Sequence, residues 1–384
     1  MSWTESRLAK IPVPRRRPLG SQRKQLRRGG FATKKAARAA LNEILADLQR
    51  GAFVSPQRLT LEEYLTDWLR SLPAQGRRRT TIESYGRHVR LHVLAKPIAD
   101  MQLQSVGPLD LDRLYAHLLA EGRADGGGGL SPRTVRFVHG VLSKAFADAV
   151  RKRLVLVNPC AAADAPSPKS TRPPEPTTWT AAELATFLRQ READRHFALW
   201  RVLAMTGARR GEALGLRWRD LELDDGVLRV RQSVLPVGGE PIFDTVKSDR
   251  SRRTVTLDAG TIAALRAHRA RQAKERLALG AGYRDHDLVF ALPDGRPYYP
   301  PRIGDAFTWR VAKSGLPRIR LHDLRHTHAT LLLAQATDAK TVSERLGHSS
   351  VQFTLDRYTH PKTSTHHAAA DRFGELVDGA ANDA

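Results

Sequence analysis

Apolar residues recur every three or four positions along most of the chain, which is the spacing of helices that bury one face. Between residues 58 and 158 this spacing predicts four helices. The first two would begin at Thr60 and Thr80, because each threonine is followed three residues later by a glutamate, as in a capping box. A third helix is predicted over about 109–120, and Ser131 followed by Pro132 is typical of the start of a fourth. Residues 58–158 are therefore predicted to form a helical domain.

The pattern becomes mixed after residue 178. A capping box at Thr180 begins another helix. Further helices are predicted at about 194–206, 259–278 and 301–314. Short runs rich in β-branched residues lie at 227–235, 241–246 and 253–257, and we expect them to pair as one antiparallel meander. Residues 179–384 are thus predicted to form a mostly helical α+β domain, and the prolines of 159–178 predict an extended linker ahead of it.

The first 55 residues differ from the rest in charge. They hold 13 lysines and arginines against three acidic residues, and a helical pattern emerges only over 33–48. A basic arm with one short helix is typical of an appendage that contacts DNA, although a solubilising tail would have the same composition. The arm residues that we expect to contact DNA are Arg15, Arg16, Arg17, Arg27 and Arg28.

Net charge extends this expectation to the whole chain. The 384 residues carry a formal charge of +23, which indicates a polyanionic partner, most often nucleic acid. Arginine outnumbers lysine by 50 to 13, which suits bidentate phosphate contacts but would also follow from a GC-rich genome. In the helical domain we expect DNA contacts from Arg78, Arg79, Arg133, Arg136 and Lys144.

Composition also predicts the cellular compartment. Cys160 is the one cysteine, which excludes an intramolecular disulfide and a multi-cysteine zinc site and is typical of a reducing environment. No apolar run approaches the length of a membrane span, and the basic N-terminus lacks the apolar segment of a secretory signal. We therefore expect a cytoplasmic protein, associated with the nucleoid when bound to DNA.

Candidate chemistry concentrates in the last quarter, in the stretch HDLRHTHATLLLAQATDAKTVSERLGHSSVQFTLDRY. His322 and Arg325 are three apart and would share one helix face, and a second helix would end at Gly347, a residue that favours a helix C-cap. His348 follows directly, and Tyr358 stands ten residues further on. Two histidines, an arginine and a tyrosine suggest chemistry on a phosphate, for which the stretch TGARRGEALGLRWRDL at 206–221 would supply a second arginine.

The ordered set of motifs resembles the tyrosine site-specific recombinase, or phage integrase, family. TGARRGE, the lysine of TVKSDRSRRTVTL, HDLRH, LGHSS and the tyrosine of TLDRYTH follow one another with the family's spacing across 180–360. Each motif alone is weak, but all five in order are specific. The resemblance implies a helical, SAM-like core-binding domain over 58–158 and a catalytic domain over 179–384. It implies an arm-binding domain over 1–55 as well, although this arm is shorter than the family's and offers only 25–31 as a strand.

The resemblance also implies roles for individual residues. Arg209 and Arg325 would clamp the non-bridging phosphate oxygens, and Tyr358 would attack the phosphorus to give a 3′-phosphotyrosyl intermediate. Lys247 would protonate the leaving 5′ oxygen, a role that fits the one lysine between Lys169 and Lys274. His322 and His348 would bind the phosphate or move the tyrosine proton, and Glu212 would orient an arginine.

Three local alternatives stand beside these roles. Arg210 competes with Arg209 as the phosphate ligand, although the family's TGxR pattern favours Arg209. His322, His326 and His328 are numerous enough for a metal site but lack supporting carboxylates at ligand spacing, so no metal is expected. TGARRGE lacks the GK[ST] of a phosphate-binding P-loop, and we expect no ATP or other cofactor.

The predicted function is therefore that of a DNA integrase of a mobile element. The resemblance implies double-stranded attachment sites as substrate and a homotetramer on DNA, with a host bending protein and an excision factor as candidate partners. The tail after Tyr358 would pack on a neighbouring protomer or on its own core. A strand-cleaving enzyme of the type IB topoisomerase kind and an inactive DNA-binding accessory protein remain as alternatives.

Overall fold

The computed structural model describes residues 30, 32–49, 53–123, 125–171, 176–245, 252–348 and 350–358, with only the backbone at 47, 48 and 356–358. The predicted mainly α class is confirmed, with small antiparallel sheets. The described helices are α1 Lys34–Gln49, α2 Leu61–Ser71, α3 Arg79–Val89, α4 Pro108–Glu121, α5 Pro132–Arg151, α6 Ala181–Gln190, α7 Phe197–Thr206, α8 Arg210–Leu214, α9 Ala259–Leu279, α10 Pro300–Ala312, α11 Asp323–Ala334, α12 Ala339–Leu346 and α13 Val351–Tyr358. The described strands are β1 Leu221–Glu222, β2 Val227–Val230, β3 Gln232–Val237, β4 Glu240–Thr245 and β5 Arg253–Thr256.

The described residues form two compact units. The first lies within 1–75 and 85–172, and the second within 76–84 and 173–384. None of the helices in the described part of the chain has both the length and the apolar character that a membrane span requires.

The first unit packs α2 against α5 through buried polar contacts as well as apolar ones. Trp68 donates from Nε1 to Asp148 Oδ2 over 2.8 Å, and the Tyr64 hydroxyl donates to the Ala145 carbonyl over 2.6 Å. Both aromatic rings are buried, so these bonds satisfy polar groups that would otherwise be costly to desolvate. Thr60 and Ser131 cap α2 and α5 as predicted, because each side chain accepts the backbone N–H three residues on.

Two predictions for residues 58–178 are wrong. The second capping box does not form, because α3 already begins at Arg79 and the backbone N–H of Thr81 bonds to the Arg78 carbonyl. The Glu83 carboxylate accepts instead from the Gly238 N–H. The predicted linker is not extended at its start, since Pro159–Ala162 forms a short 3₁₀ helix whose first two residues are buried. The predicted strand at 25–31 lies outside the described residues, apart from Gly30.

The second unit is organised around an aromatic core. Trp179, Phe187, Trp200 and Phe307 are all buried, and their ring centroids lie 5.1–6.2 Å apart in the four close pairs. Each such ring contributes on the order of 1.5–3 kcal/mol by leaving water. The core holds α6, α7 and α10 together, and it includes Ala208 and Leu324, which directly precede Arg209 and Arg325 in the sequence.

The strands do not form one meander, so that prediction is wrong. The chain leaves the strand conformation at Arg231, and the two halves of the predicted strand pair with different partners. Strands β1, β2 and β5 form one antiparallel sheet in that order, with Val227 opposite Thr256, while β3 and β4 form a separate hairpin with Val234 opposite Phe243. The hairpin is therefore inserted between two strands of the first sheet.

Candidate active site

The turn after α7 positions part of the candidate site. Gly207 ends α7 in the left-handed conformation at φ 63°, and its N–H bonds to the Leu203 carbonyl. A Cβ at this position would lie 2.4 Å from Leu346 Cδ2, so both the dihedral angle and the space require glycine. The Gly207 carbonyl accepts a 2.8 Å hydrogen bond from the Arg325 guanidinium. This turn therefore fixes one of the two predicted phosphate ligands.

Arg209 lies two residues further on, directly before α8. Its backbone N–H donates to Glu212 Oε2 over 2.9 Å and its guanidinium donates to Glu212 Oε1 over 2.7 Å. A second guanidinium N–H donates to the Gly347 carbonyl over 3.0 Å, which ties the turn before α8 to the end of α12. The side chain keeps 40% of its surface exposed and can still contact a ligand.

Arg210 faces a different part of the unit. Its guanidinium lies against α10, where a Cβ added to Gly304 would stand 3.0 Å from one of its nitrogens. Burial lowers the pKa of Arg210, and Asp305 opposes that shift. Of the two neighbouring arginines, Arg209 is therefore the one that the structure brings to the other candidate residues.

Glu212 is buried between two arginines. Besides Arg209 it contacts Arg253 of β5, whose guanidinium donates to Glu212 Oε2 over 2.8 Å and, from Nε, to the Arg345 carbonyl over 2.7 Å. Burial alone would raise the pKa of Glu212, but the Arg253 and Arg209 cations lower it to about 2. The carboxylate is thus ionised and holds both guanidinium groups in place.

Arg253 was missed by the sequence reasoning, which considered only the lysine of its motif. Its side chain is 5% exposed, because it shares a face of β5 with the buried Val255 two residues on. The sequence signal that could have identified Arg253 is its position two residues before an apolar residue of the same strand, which places both on the buried face.

His322 and Arg325 lie at the start of α11. Arg325 is buried on the first turn of the helix, while His322 occupies the position before it and remains exposed. The rings of His322 and His326 meet edge to face at 5.1 Å. Partial desolvation and the Arg325 cation lower the pKa of His322, which favours the neutral imidazole.

His348 follows the left-handed Gly347 that ends α12, as predicted. Its N–H bonds to the Ser343 carbonyl, five residues back, which completes a Schellman turn. The ring is buried, with Nδ1 2.8 Å from Thr354 Oγ1 and its centroid 4.9 Å from that of Phe353. Burial, followed by the Arg325 and Arg209 cations, lowers the pKa of His348 to about 3. This histidine is neutral and lies within the field of both arginines.

His328 is hydrogen-bonded within the protein. Arg345 donates from Nε to His328 Nε2 over 3.2 Å and from a second nitrogen to the Met205 carbonyl over 3.0 Å. Burial lowers the pKa of His328 to about 4. Its Nε2 lone pair is already used as an acceptor, and the contacts join α7, α11 and α12 beneath the site.

The structure does not describe the side chains of two predicted residues. Tyr358 is the last residue of α13, and its backbone alone is described. Lys247 lies outside the described residues, between the end of β4 and the start of β5. Among the described side chains, those of Arg209, Glu212, Arg325 and His348 are brought together, with His322 beside Arg325.

The side chains that we predicted to contact DNA differ in their exposure. Arg79 and Arg133 are exposed, Arg78 and Lys144 are partly exposed, and Arg136 donates to the Pro166 carbonyl over 2.7 Å. The five arginines predicted in the basic arm lie outside the described residues.

The described part of the site thus brings Arg209, Arg325 and His348 together, and the helix that follows His348 ends at Tyr358. The sequence profile of the phage integrase family matches residues 180–365. The ICEBs1 integrase of Bacillus subtilis is 31% identical over 298 residues, which cover 74% of this chain and 76% of that protein. A XerC-like tyrosine recombinase of Caldanaerobacter subterraneus is 28% identical over 350 residues, covering 87% and 88%.

Solved structures agree in fold. The Tn1549 transposon integrase, in complex with a circular intermediate DNA, matches with a TM-score of 0.65 at 20% identity, covering 82% of this chain and 99% of that one. A lambda integrase tetramer bound to a Holliday junction matches with a TM-score of 0.56 at 18% identity, covering 88% and 91%. The chain belongs to the phage integrase family, and it is a tyrosine site-specific recombinase of the kind that mobile elements encode.

Proposed function

We propose that the protein cuts and rejoins DNA strands at the attachment sites of a mobile element through a covalent bond between Tyr358 and a 3′ phosphate. The observation that carries this proposal is the convergence of Arg209, Arg325 and His348 directly before the helix that ends at Tyr358. Arg209 lies more than 100 positions before the other two residues in the sequence. The combined charge of the two arginines suits a phosphodiester.

Each group has a chemical task in this reaction. The Tyr358 oxygen forms a bond to phosphorus as the bond to the 5′ oxygen breaks, and the two guanidinium groups stabilise the charge on the non-bridging oxygens. A neutral imidazole at His322 or His348 donates a hydrogen bond to the phosphate or accepts the tyrosine proton. The reverse attack by a 5′ hydroxyl rejoins the strand. One ester bond is broken and one is formed at each step, so the reaction needs no energy source.

The test uses nicked suicide duplexes that contain candidate attachment sites. Wild-type protein should give a protein–DNA band that is stable to SDS, and Tyr358→Phe should give none while it binds DNA with near-normal affinity. Tyr283→Phe, which changes another tyrosine of the same unit, is the matched control. Equal adduct from Tyr358→Phe would exclude Tyr358 as the nucleophile. Binding without adduct by the wild type, on every candidate site, would reject the cleavage activity.

Lys247 is proposed as the acid that protonates the leaving 5′ oxygen. Lys247→Ala should cleave slowly, and a substrate with sulfur at the bridging 5′ position should restore the rate, because a thiolate leaves without a proton. Slow cleavage of both substrates would assign Lys247 to another task.

We further propose that the enzyme acts as four protomers on double-stranded DNA in the bacterial cytoplasm. Two features support this proposal: the formal charge of +23 and the fold shared with an integrase that was solved as a tetramer on a Holliday junction. The basic arm over 1–55 and the helical domain over 58–158 would bind DNA, and the domain over 179–384 would carry the chemistry. A host bending protein and an excision factor are candidate partners, and mass photometry with a four-way junction would measure the number of protomers.

A further inference from the structure

Thr354 is a residue of the final helix that neither the motifs nor the proposed chemistry uses. Its side chain is fully buried, although neighbouring positions of α13 are not, since Val351 is 36% exposed and Phe353 is 49% exposed. A buried hydroxyl needs a hydrogen-bond partner, and Thr354 Oγ1 lies 2.8 Å from His348 Nδ1. The buried Thr354 hydroxyl therefore has its hydrogen-bond partner in a residue of the candidate site.

The position of Thr354 within α13 gives this contact a consequence for Tyr358. The helix has eight residues, and a helix of that length is not stable by itself in water. Thr354 precedes Tyr358 by four residues, so the two positions lie on the same helix face, about 6 Å apart along the axis. The bond to His348 thus anchors the turn directly before the one that carries Tyr358.

The same bond acts on the imidazole. In a neutral imidazole one ring nitrogen donates and the other accepts, so the role that the hydroxyl takes at Nδ1 determines the role of Nε2. Charged and titratable groups face this ring from three other elements: Arg209 before α8, Arg253 of β5, and Arg325 and His326 of α11. Burial, followed by the three cations, keeps the ring neutral. A hydroxyl has no charge, so it can order the ring without changing that state.

We propose that Thr354 is a positioning residue, whose hydrogen bond to His348 Nδ1 holds the nucleophile helix against the arginine pair and selects the tautomer that His348 presents to the phosphate. This inference rests on the proposed function, because it assigns Thr354 a part in strand cleavage by Tyr358.

The test compares two variants that differ in one group. Thr354→Val keeps the shape and removes the hydroxyl, whereas Thr354→Ser keeps the hydroxyl. In single-turnover cleavage at saturating protein, Thr354→Val should lower the rate constant by about tenfold or more, because a buried group that loses its partner costs about that factor. Thr354→Ser should stay within about threefold of wild type, and the Kd for the site should change in neither. Thr186→Val, at a partly exposed position of α6, is the control for the substitution itself.

Hydrogen exchange of the DNA-free protein tests the anchor without any need for activity. Peptides that cover 350–358 should exchange about tenfold faster in Thr354→Val and at the wild-type rate in Thr354→Ser, while peptides of α7 remain unchanged. Unchanged exchange in Thr354→Val, or cleavage at the wild-type rate, would overturn the proposal. If the wild type formed no adduct on any DNA, the proposed function would fail, and the exchange experiment would still decide whether Thr354 anchors the helix.

Discussion

Replacing Glu212 with glutamine should destabilise the second unit more than any exposed charge change, because Glu212 is a buried carboxylate between two arginines. The carboxylate is 3% exposed and lies 2.7 Å from Arg209 and 2.8 Å from Arg253. Glu212→Gln keeps the side-chain volume and removes the charge. It therefore leaves two guanidinium groups close together without the anion that holds them.

The magnitude follows from the pKa of Glu212. Its pKa falls from 4.5 to about 2 in the folded chain, and each pKa unit corresponds to 1.36 kcal/mol, so ionised Glu212 contributes about 3 kcal/mol at pH 7. A lowered pKa stabilises the fold fully above the unfolded value of 4.5, and the effect is lost as pH falls through about 2. At pH 3 the contribution should be about 1.4 kcal/mol.

The assay is hydrogen exchange of α11 amides as a function of urea, which reports the free energy of opening for this unit alone. Wild type and Glu212→Gln are compared at pH 7 and pH 3. Glu222→Gln is the matched control, since Glu222 pairs with Arg229 at the surface and such pairs contribute about 0–1 kcal/mol. A loss below about 1 kcal/mol at pH 7, or a loss that did not shrink at pH 3, would refute the electrostatic account of Glu212.

Three further changes test other parts of the structure. Gly207→Ala should destabilise the protein by more than about 2 kcal/mol and abolish adduct formation, because the new Cβ clashes and the left-handed dihedral is itself unfavourable for alanine. Gly238→Ala, at φ 61° with no atom near its Cβ, should cost only about 1–2 kcal/mol. Equal thermal stability of the two variants would contradict this. Tyr64→Phe should lose about 1 kcal/mol in urea unfolding with the bond to the Ala145 carbonyl, and no loss would mean that water replaces that bond. Deleting residues 1–55 should flatten the dependence of log Kd on log salt by about 0.9 for each phosphate that the arm neutralises, and an unchanged slope in a filter-binding titration would show that the arm does not touch DNA.

The parts of the fold that the sequence predicted correctly are those encoded within a few residues. The caps at Thr60, Ser131 and Thr180 depend on one side chain and the backbone three residues on, and all three form. The glycine after α12 adopts the left-handed conformation for an equally local reason. Thr80 is followed by a glutamate three residues on, as Thr60 is, but it forms no cap because α3 has already begun at Arg79.

Errors arose where partners lie far apart in sequence. The apolar run over 227–235 looks like one strand, yet its first half pairs with β1 and β5 and its second half pairs with β4 in a separate sheet. Arg253 and Thr354 have no motif of their own, and only the folded chain brings them to Glu212 and His348. The site residues were predicted, in contrast, from motif spacing that resembles that of a known family.

The bond between the Arg209 guanidinium and the Gly347 carbonyl spans 138 residues, and it has a consequence for synthesis on the ribosome. The chain emerges from its N-terminus, so the two segments that we propose to bind DNA, 1–55 and 58–158, are made before α12 and α13. Until those helices arrive, Arg209 lacks its carbonyl partner and the chain lacks Tyr358. Under the proposed function, a nascent or prematurely terminated chain would therefore bind DNA without being able to break a strand.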